Sequence, residues 1–76
     1  MTHTQAKVTP INSLSELRSK SQNGDQYKQL ALISASNLGL KTESLDEAIN
    51  WLYTNANETS EEGVVDEVNY CIPRMS

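Results

Sequence analysis

Between Ala31 and Tyr53 the chain reads ALISASNLGLKTESLDEAINWLY, two apolar helical patterns joined at Gly39. A glycine directly after Leu38 can take the left-handed backbone conformation that closes a helix, with Leu40 folding back as the accompanying hydrophobic contact. A sharp change of direction is predicted there. Upstream, Tyr27, Leu30, Ala31, Ser34, Ala35 and Leu38 share one helical face that Leu32 and Ile33 widen, so this helix is apolar over much of its circumference and is predicted to be central. Downstream, Leu45, Ala48, Ile49, Leu52 and Ala56 form a stripe flanked by Trp51 and Tyr53. That stripe must be buried against the central helix or a partner. Ser44 and Glu47 make a capping box at its start, and Glu43, Asp46 and Glu47 place negative charge at the positive end of the helix dipole.

The flanking segments are shorter and less regular. Residues 1–12 hold Ala6, Val8 and Ile11 too sparsely for a confident element and read as a flexible N-terminal arm. Ser13 and Glu16 form a first capping box, with Leu14 and Leu17 at helical spacing, which predicts a helix from about Leu14 to Ser21. Asn23-Gly24 then breaks the chain, and Asp25 is placed to cap the second helix. Near the end, Thr59 with Glu62 suggests a third capping box, and Val64, Val65, Val68, Cys71 and Ile72 fall on one helical face. Val64, Val68, Tyr70 and Ile72 also suit a strand, since β-branched residues favour one. Pro73 should end either element, leaving residues 74–76 as a tail. The expected fold is an all-α bundle of three to four short helices over residues 13–73. The alternative is an α+β arrangement with strands near 5–11 and 64–72.

Charge is the most informative part of the composition, because the net value of −4 conceals a split along the chain. Up to Thr42, Lys7, Arg18, Lys20, Lys28 and Lys41 outnumber Glu16 and Asp25, a balance of +3. From Glu43 onward Arg74 stands alone against Glu43, Asp46, Glu47, Glu58, Glu61, Glu62, Asp66 and Glu67, a balance of −7. The second half should be repelled by nucleic acid and attracted to basic protein surfaces. The plainer reading of the same residues is a solvated helix face.

Other functional classes find little support. His3 is the sole histidine and lies in the arm, Cys71 has no histidine near it in sequence, and no glycine-rich phosphate loop occurs. No enzyme activity, cofactor or metal is therefore expected, and the carboxylates from Glu58 to Glu67 lack the alternating ligands and central glycine of a calcium loop. A single cysteine cannot form an internal disulfide, no apolar run approaches the length of a membrane span, and MTHTQAKVTP lacks the marks of a signal peptide. The expectation is a cytoplasmic protein without a membrane segment. With 76 residues, folding hides only about 60% of the surface that the unfolded chain exposes, so a homodimer would enlarge a small core.

Ala35, Gly39, Leu40, Leu45 and Ala48 together resemble a helix-turn-helix in their spacing. In that family the small residue lets the helices approach, the glycine makes the turn and the later apolar positions bury the recognition helix. The resemblance implies a small dimeric transcriptional regulator presenting Lys20, Lys28, Lys41 and the arm to DNA. Against it, the exposed positions of the second helix include Glu43, Asp46 and Glu47, whereas phosphate contact depends on lysine and arginine. Leu38-Gly39-Leu40 with Ala48, Trp51 and Leu52 is faintly similar to ubiquitin-binding three-helix domains. A likeness to acyl carrier proteins around Ser44 fails on two points: Glu43 stands where that family has Asp, and the Leu-Gly element lies too far upstream. Size and charge resemble the small inhibitors of phages and mobile elements, such as anti-CRISPR and anti-restriction proteins. The leading expectation is thus a small acidic interaction protein that binds and inhibits a partner with a basic, nucleic-acid-binding surface. Its contact residues would be Glu43, Asp46, Glu47, Glu58, Glu61, Glu62, Asp66 and Glu67. A structural subunit of a larger assembly, using Trp51 or Tyr70, is a further alternative.

Overall fold

Ser13 opens the first helix of the computed structural model, which describes residues 8–75. There are four helices among these residues, α1 (Leu14–Ser21), α2 (Asp25–Asn37), α3 (Leu45–Glu58) and α4 (Glu61–Tyr70), then a single 3-10 turn over Ile72–Met75. The domain is all-α, and no strand occurs among the described residues. Val64, Val65, Val68 and Cys71 are buried at helical spacing, so the strand alternative for 64–72 fails. A strand would have turned the adjacent Val64 and Val65 to opposite faces. Of its proposed partner, residues 8–11 form no ladder, and residues 5–7 lie outside the described residues.

The helix ends show why the chain breaks where it does. Ser13 Oγ accepts the Glu16 N–H at 3.1 Å, while the Glu16 carboxylate reaches back one residue further than a standard box, to the Asn12 N–H at 2.9 Å. At α2 the cap is Gly24, in extended backbone and without a side-chain bond, and Asp25 is the first helical residue rather than the cap. Its charge still faces the positive end of the dipole. The far end of α2 closes as expected. Gly39 has φ 105°, the Leu40 N–H donates to the Ala35 carbonyl at 2.9 Å and the Gly39 N–H to the Ser36 carbonyl at 3.0 Å, the paired bonds of a Schellman motif.

Two further ends depart in detail from expectation. At α3, Ser44 Oγ accepts the Glu47 N–H at 3.3 Å. The reciprocal bond is relayed, since the Thr42 hydroxyl donates to Glu47 and accepts the Ser44 N–H at 3.0 Å. At α4 the cap is Ser60, which accepts the Gly63 N–H at 3.0 Å, and not Thr59. Thr59 is already used: its N–H and hydroxyl both donate to the Asn55 carbonyl and finish α3. The two helices therefore meet with no spare residue between their caps.

Helix α2 touches α1, α3, α4 and the 3-10 turn, the central position its apolar circumference requires. Ala31, Ser34 and Ala35 on α2 and Ala48 on α3 have no exposed surface, and residues this small allow close approach of the helices. Ser34 is a polar residue in that seam, and its hydroxyl is satisfied by the Leu30 carbonyl at 2.7 Å. Around it pack Ile11, Leu14, Leu17, Leu30, Ile49, Leu52, Val64, Val65, Val68 and Cys71, an aliphatic core without an aromatic ring. Tyr27 and Tyr53 pack half-buried against it, and Trp51 is half-buried at the Gly39 turn.

The ends of the domain reach beyond the boundaries that the sequence suggested. Ile11 is only 2% exposed and belongs to the core, so the segment from Val8 to Asn12 is a strap across the bundle and not part of an arm. Residues 1–7 of the expected arm lie outside the described residues. At the other end α4 stops at Tyr70, Pro73 sits within the 3-10 turn, and Met75 packs against the core. A proline early in such a turn sacrifices no helical hydrogen bond. Of the expected tail, only Ser76 lies outside the description.

Candidate protein-interaction surface

The eight carboxylates of the second half do not form one patch. Glu43, Asp46 and Glu47 surround the start of α3, whereas Glu58, Glu61 and Glu62 surround the corner where α3 passes into α4. At about 1.5 Å per residue, the length of α3 separates these groups by about 20 Å. Asp66 and Glu67 follow a turn further along α4.

Three of the eight have internal work. Glu47 holds Thr42 in the relayed cap. The Glu61 carboxylate accepts the N–H of Leu14 at 3.0 Å, so α4 supplies a cap to the first turn of α1. Glu67 accepts from the Asn37 side-chain amide at 2.7 Å, and the Asn37 oxygen in turn accepts from Arg74 at 3.2 Å. That chain ties α4, the end of α2 and the 3-10 turn together. The capping role of Glu47 was legible in sequence, but the links of Glu61 and Glu67 were not, because each joins residues that no local pattern relates.

The other five differ. Glu43, Asp46, Glu58, Glu62 and Asp66 are exposed, and none makes a hydrogen bond or ion pair with another described residue. Asp46 and Glu62 lie in first turns and are favoured by the helix dipole. Glu58 occupies the last turn of α3, the negative end, where no basic residue offsets it. Asp66 stands one turn after Glu62 on the same face, a like-charge spacing that destabilises a helix. Neither Glu58 nor Asp66 has an ion-pair partner among the described residues.

Basic groups are placed otherwise. Lys20 Nζ lies 3.0 Å from the Glu16 carboxylate and 5.3 Å from the centre of the Tyr27 ring. The Glu16 contact raises the lysine pKa. The Asn12 N–H, and after it Lys20, holds Glu16 below the usual carboxylate value. The Tyr27 hydroxyl meets the Thr9 side chain at 3.3 Å and accepts the Thr9 N–H at 3.1 Å, which lowers the phenol pKa. Lys20 is thus engaged within the domain, and Lys28 and Lys41 are separated by most of the length of α2. The connection from Leu38 to Ser44 is also longer than the roughly three to four residues of a helix-turn-helix turn.

The aromatic residues divide in the same way. The Trp51 indole N–H donates to the Leu38 carbonyl at 3.0 Å, covering the Gly39 turn. Among the described residues Tyr70, 82% exposed, is the large apolar side chain most open to solvent. Cys71, beside it in sequence, is buried in the core as a small apolar residue. Among the described residues no helix is long and apolar enough to cross a membrane. Compared with protein-family models, curated proteins and solved structures, the chain matches none.

Proposed function

We propose that this protein is a non-enzymatic binding protein whose α3–α4 half docks on the basic surface of another protein. The observation that carries the reading is the set of exposed carboxylates, Glu58 and Asp66 among them, that have no hydrogen-bond or ion-pair partner among the described residues. Negative charge that the fold leaves unpaired is complementary to a basic partner that neutralises it. The basic surface so covered would be one that otherwise engages phosphate, which makes inhibition of a nucleic-acid-binding protein the proposed outcome. In size and charge the chain resembles the small inhibitors of phages and mobile elements.

The test is affinity capture from a lysate with the wild-type chain and with Glu43, Glu58, Glu62 and Asp66 reversed to Lys. Glu61 and Glu67 are left intact, since they bond to Leu14 and Asn37. The reversed protein should keep its circular dichroism spectrum and lose its captured partner. Undiminished capture by that folded variant overturns the reading.

A further inference from the structure

Along the outer face of α4, Glu62, Asp66 and Tyr70 recur every four residues, forming one ridge with a rise of about 6 Å between successive members. All three are exposed, and none of their side chains has a hydrogen-bond or ion-pair partner among the described residues. The rest of α4 is held firmly. Val64, Val65 and Val68 are buried, Glu61 is bonded to Leu14, and the Asn69 amide is bonded to the backbone of Ile11. A partner meeting this ridge therefore has little to order on binding.

Two features set the ridge apart from the carboxylates around the start of α3. There, Glu47 is tied to Thr42, and the nearby aromatic, Trp51, is turned inward onto Leu38. On α4, the Glu62 and Asp66 side chains are bonded to no described residue, and the stripe continues into an open tyrosine ring. Tyrosine is one of the residue types that dominate binding energy at protein interfaces.

We infer that the Glu62–Asp66–Tyr70 ridge is the centre of the docking surface and that its occupant is a helix of another protein carrying arginines at four-residue spacing. The inference rests on the docking role proposed above. Guanidinium groups pair with carboxylates through two parallel hydrogen bonds and also lie flat on aromatic rings, so one side-chain type satisfies all three positions. The rise between ridge positions matches that between successive arginines on such a helix. Lysine would supply charge without the planar fit.

The test titrates the full chain into fluorescein-labelled, alanine-rich helical peptides at low salt, followed by anisotropy. Three peptides of equal length carry Arg, Lys or Glu at positions i, i+4 and i+8. The Arg peptide should bind at least about threefold more tightly than the Lys peptide, and the Glu peptide should not bind. Glu62→Lys with Asp66→Lys should weaken the Arg peptide more than about tenfold, and Tyr70→Ala about three- to tenfold. Glu43→Lys with Asp46→Lys, an equal change of charge, should cost less than about threefold. Glu62→Gln with Asp66→Asn should follow the lysine pair in direction, and circular dichroism verifies that each variant is folded. Equal losses from the two lysine pairs, an unchanged Tyr70→Ala variant, or equal binding of Arg and Lys peptides overturns the ridge and leaves the broader docking role standing. Binding of neither cationic peptide also overturns the ridge, while the docking role is decided separately by the capture experiment.

Discussion

The side-chain amide of Asn69 pairs with both backbone groups of Ile11, accepting its N–H at 2.9 Å and donating to its carbonyl at 3.0 Å. An amide side chain thereby imitates a neighbouring strand and holds the strap to α4. Asn69→Ala should cost about 1–3 kcal/mol, because both groups of a part-buried peptide lose their partner. Asn69→Asp restores the acceptor but removes the donor and sets a carboxylate against a carbonyl, so it should recover little at neutral pH. Urea unfolding of the three proteins measures both differences.

Ile11 itself carries the second prediction. If the strap belongs to the fold, Ile11→Ala should destabilise by about 2–5 kcal/mol, the range seen for buried aliphatic residues within helices. Leu52→Ala provides the comparison, since Leu52 is likewise buried. A loss under about 0.5 kcal/mol at Ile11, the scale of an ordinary surface change, would show that the strap is dispensable.

At the α2–α3 turn, Trp51→Phe keeps a ring but removes the N–H to Leu38, and should cost about 0.5–1.5 kcal/mol. Gly39→Ala tests the backbone instead. A Cβ there would meet only Trp51, at 4.0 Å, which is ordinary contact, so the penalty comes from φ 105°. It should be about 1–2 kcal/mol. Thermal unfolding of each variant checks the two values.

The pH dependence has a defined sign at Glu16. Its pKa is lowered in the folded protein, first by the Asn12 N–H and then by Lys20. A depressed carboxyl contributes stability that is present above its unfolded value of about 4.3 and is lost as pH falls through the folded value. Glu16→Gln should therefore melt below wild type at pH 7, with the gap closing in acid. The effect should also shrink in high salt, because the pair is open to solvent.

What could be read from sequence was local. Ser13, Ser44, Gly39 and the apolar spacing of α2 and α3 act over three to seven residues, and the structure has each in its expected role. The assignments that moved did so through competition between neighbours. Thr59 suits a helix start, but its hydroxyl serves the end of α3 and passes the cap to Ser60. Ile11 looked isolated because its packing partners lie in other elements and its hydrogen-bond partner is Asn69. The candidate surface was legible as charge but not as geometry. Nothing in the order of residues shows that Glu61 is spent on Leu14 and Glu67 on Asn37, or that Glu62, Asp66 and Tyr70 remain open on one edge.

The bond between Ile11 and Asn69 also orders events in time. A chain made from its N-terminus presents Ile11 before any of the four helices, yet the amide that receives it belongs to α4. Until α4 is in place the strap has no seat, and the slot that Ile11 fills lies open to water. The three preceding helices can form their local turns during synthesis, but closure of the core waits for α4. Folding of this domain should then be a single late event, with Ile11, made early, among the last residues to settle.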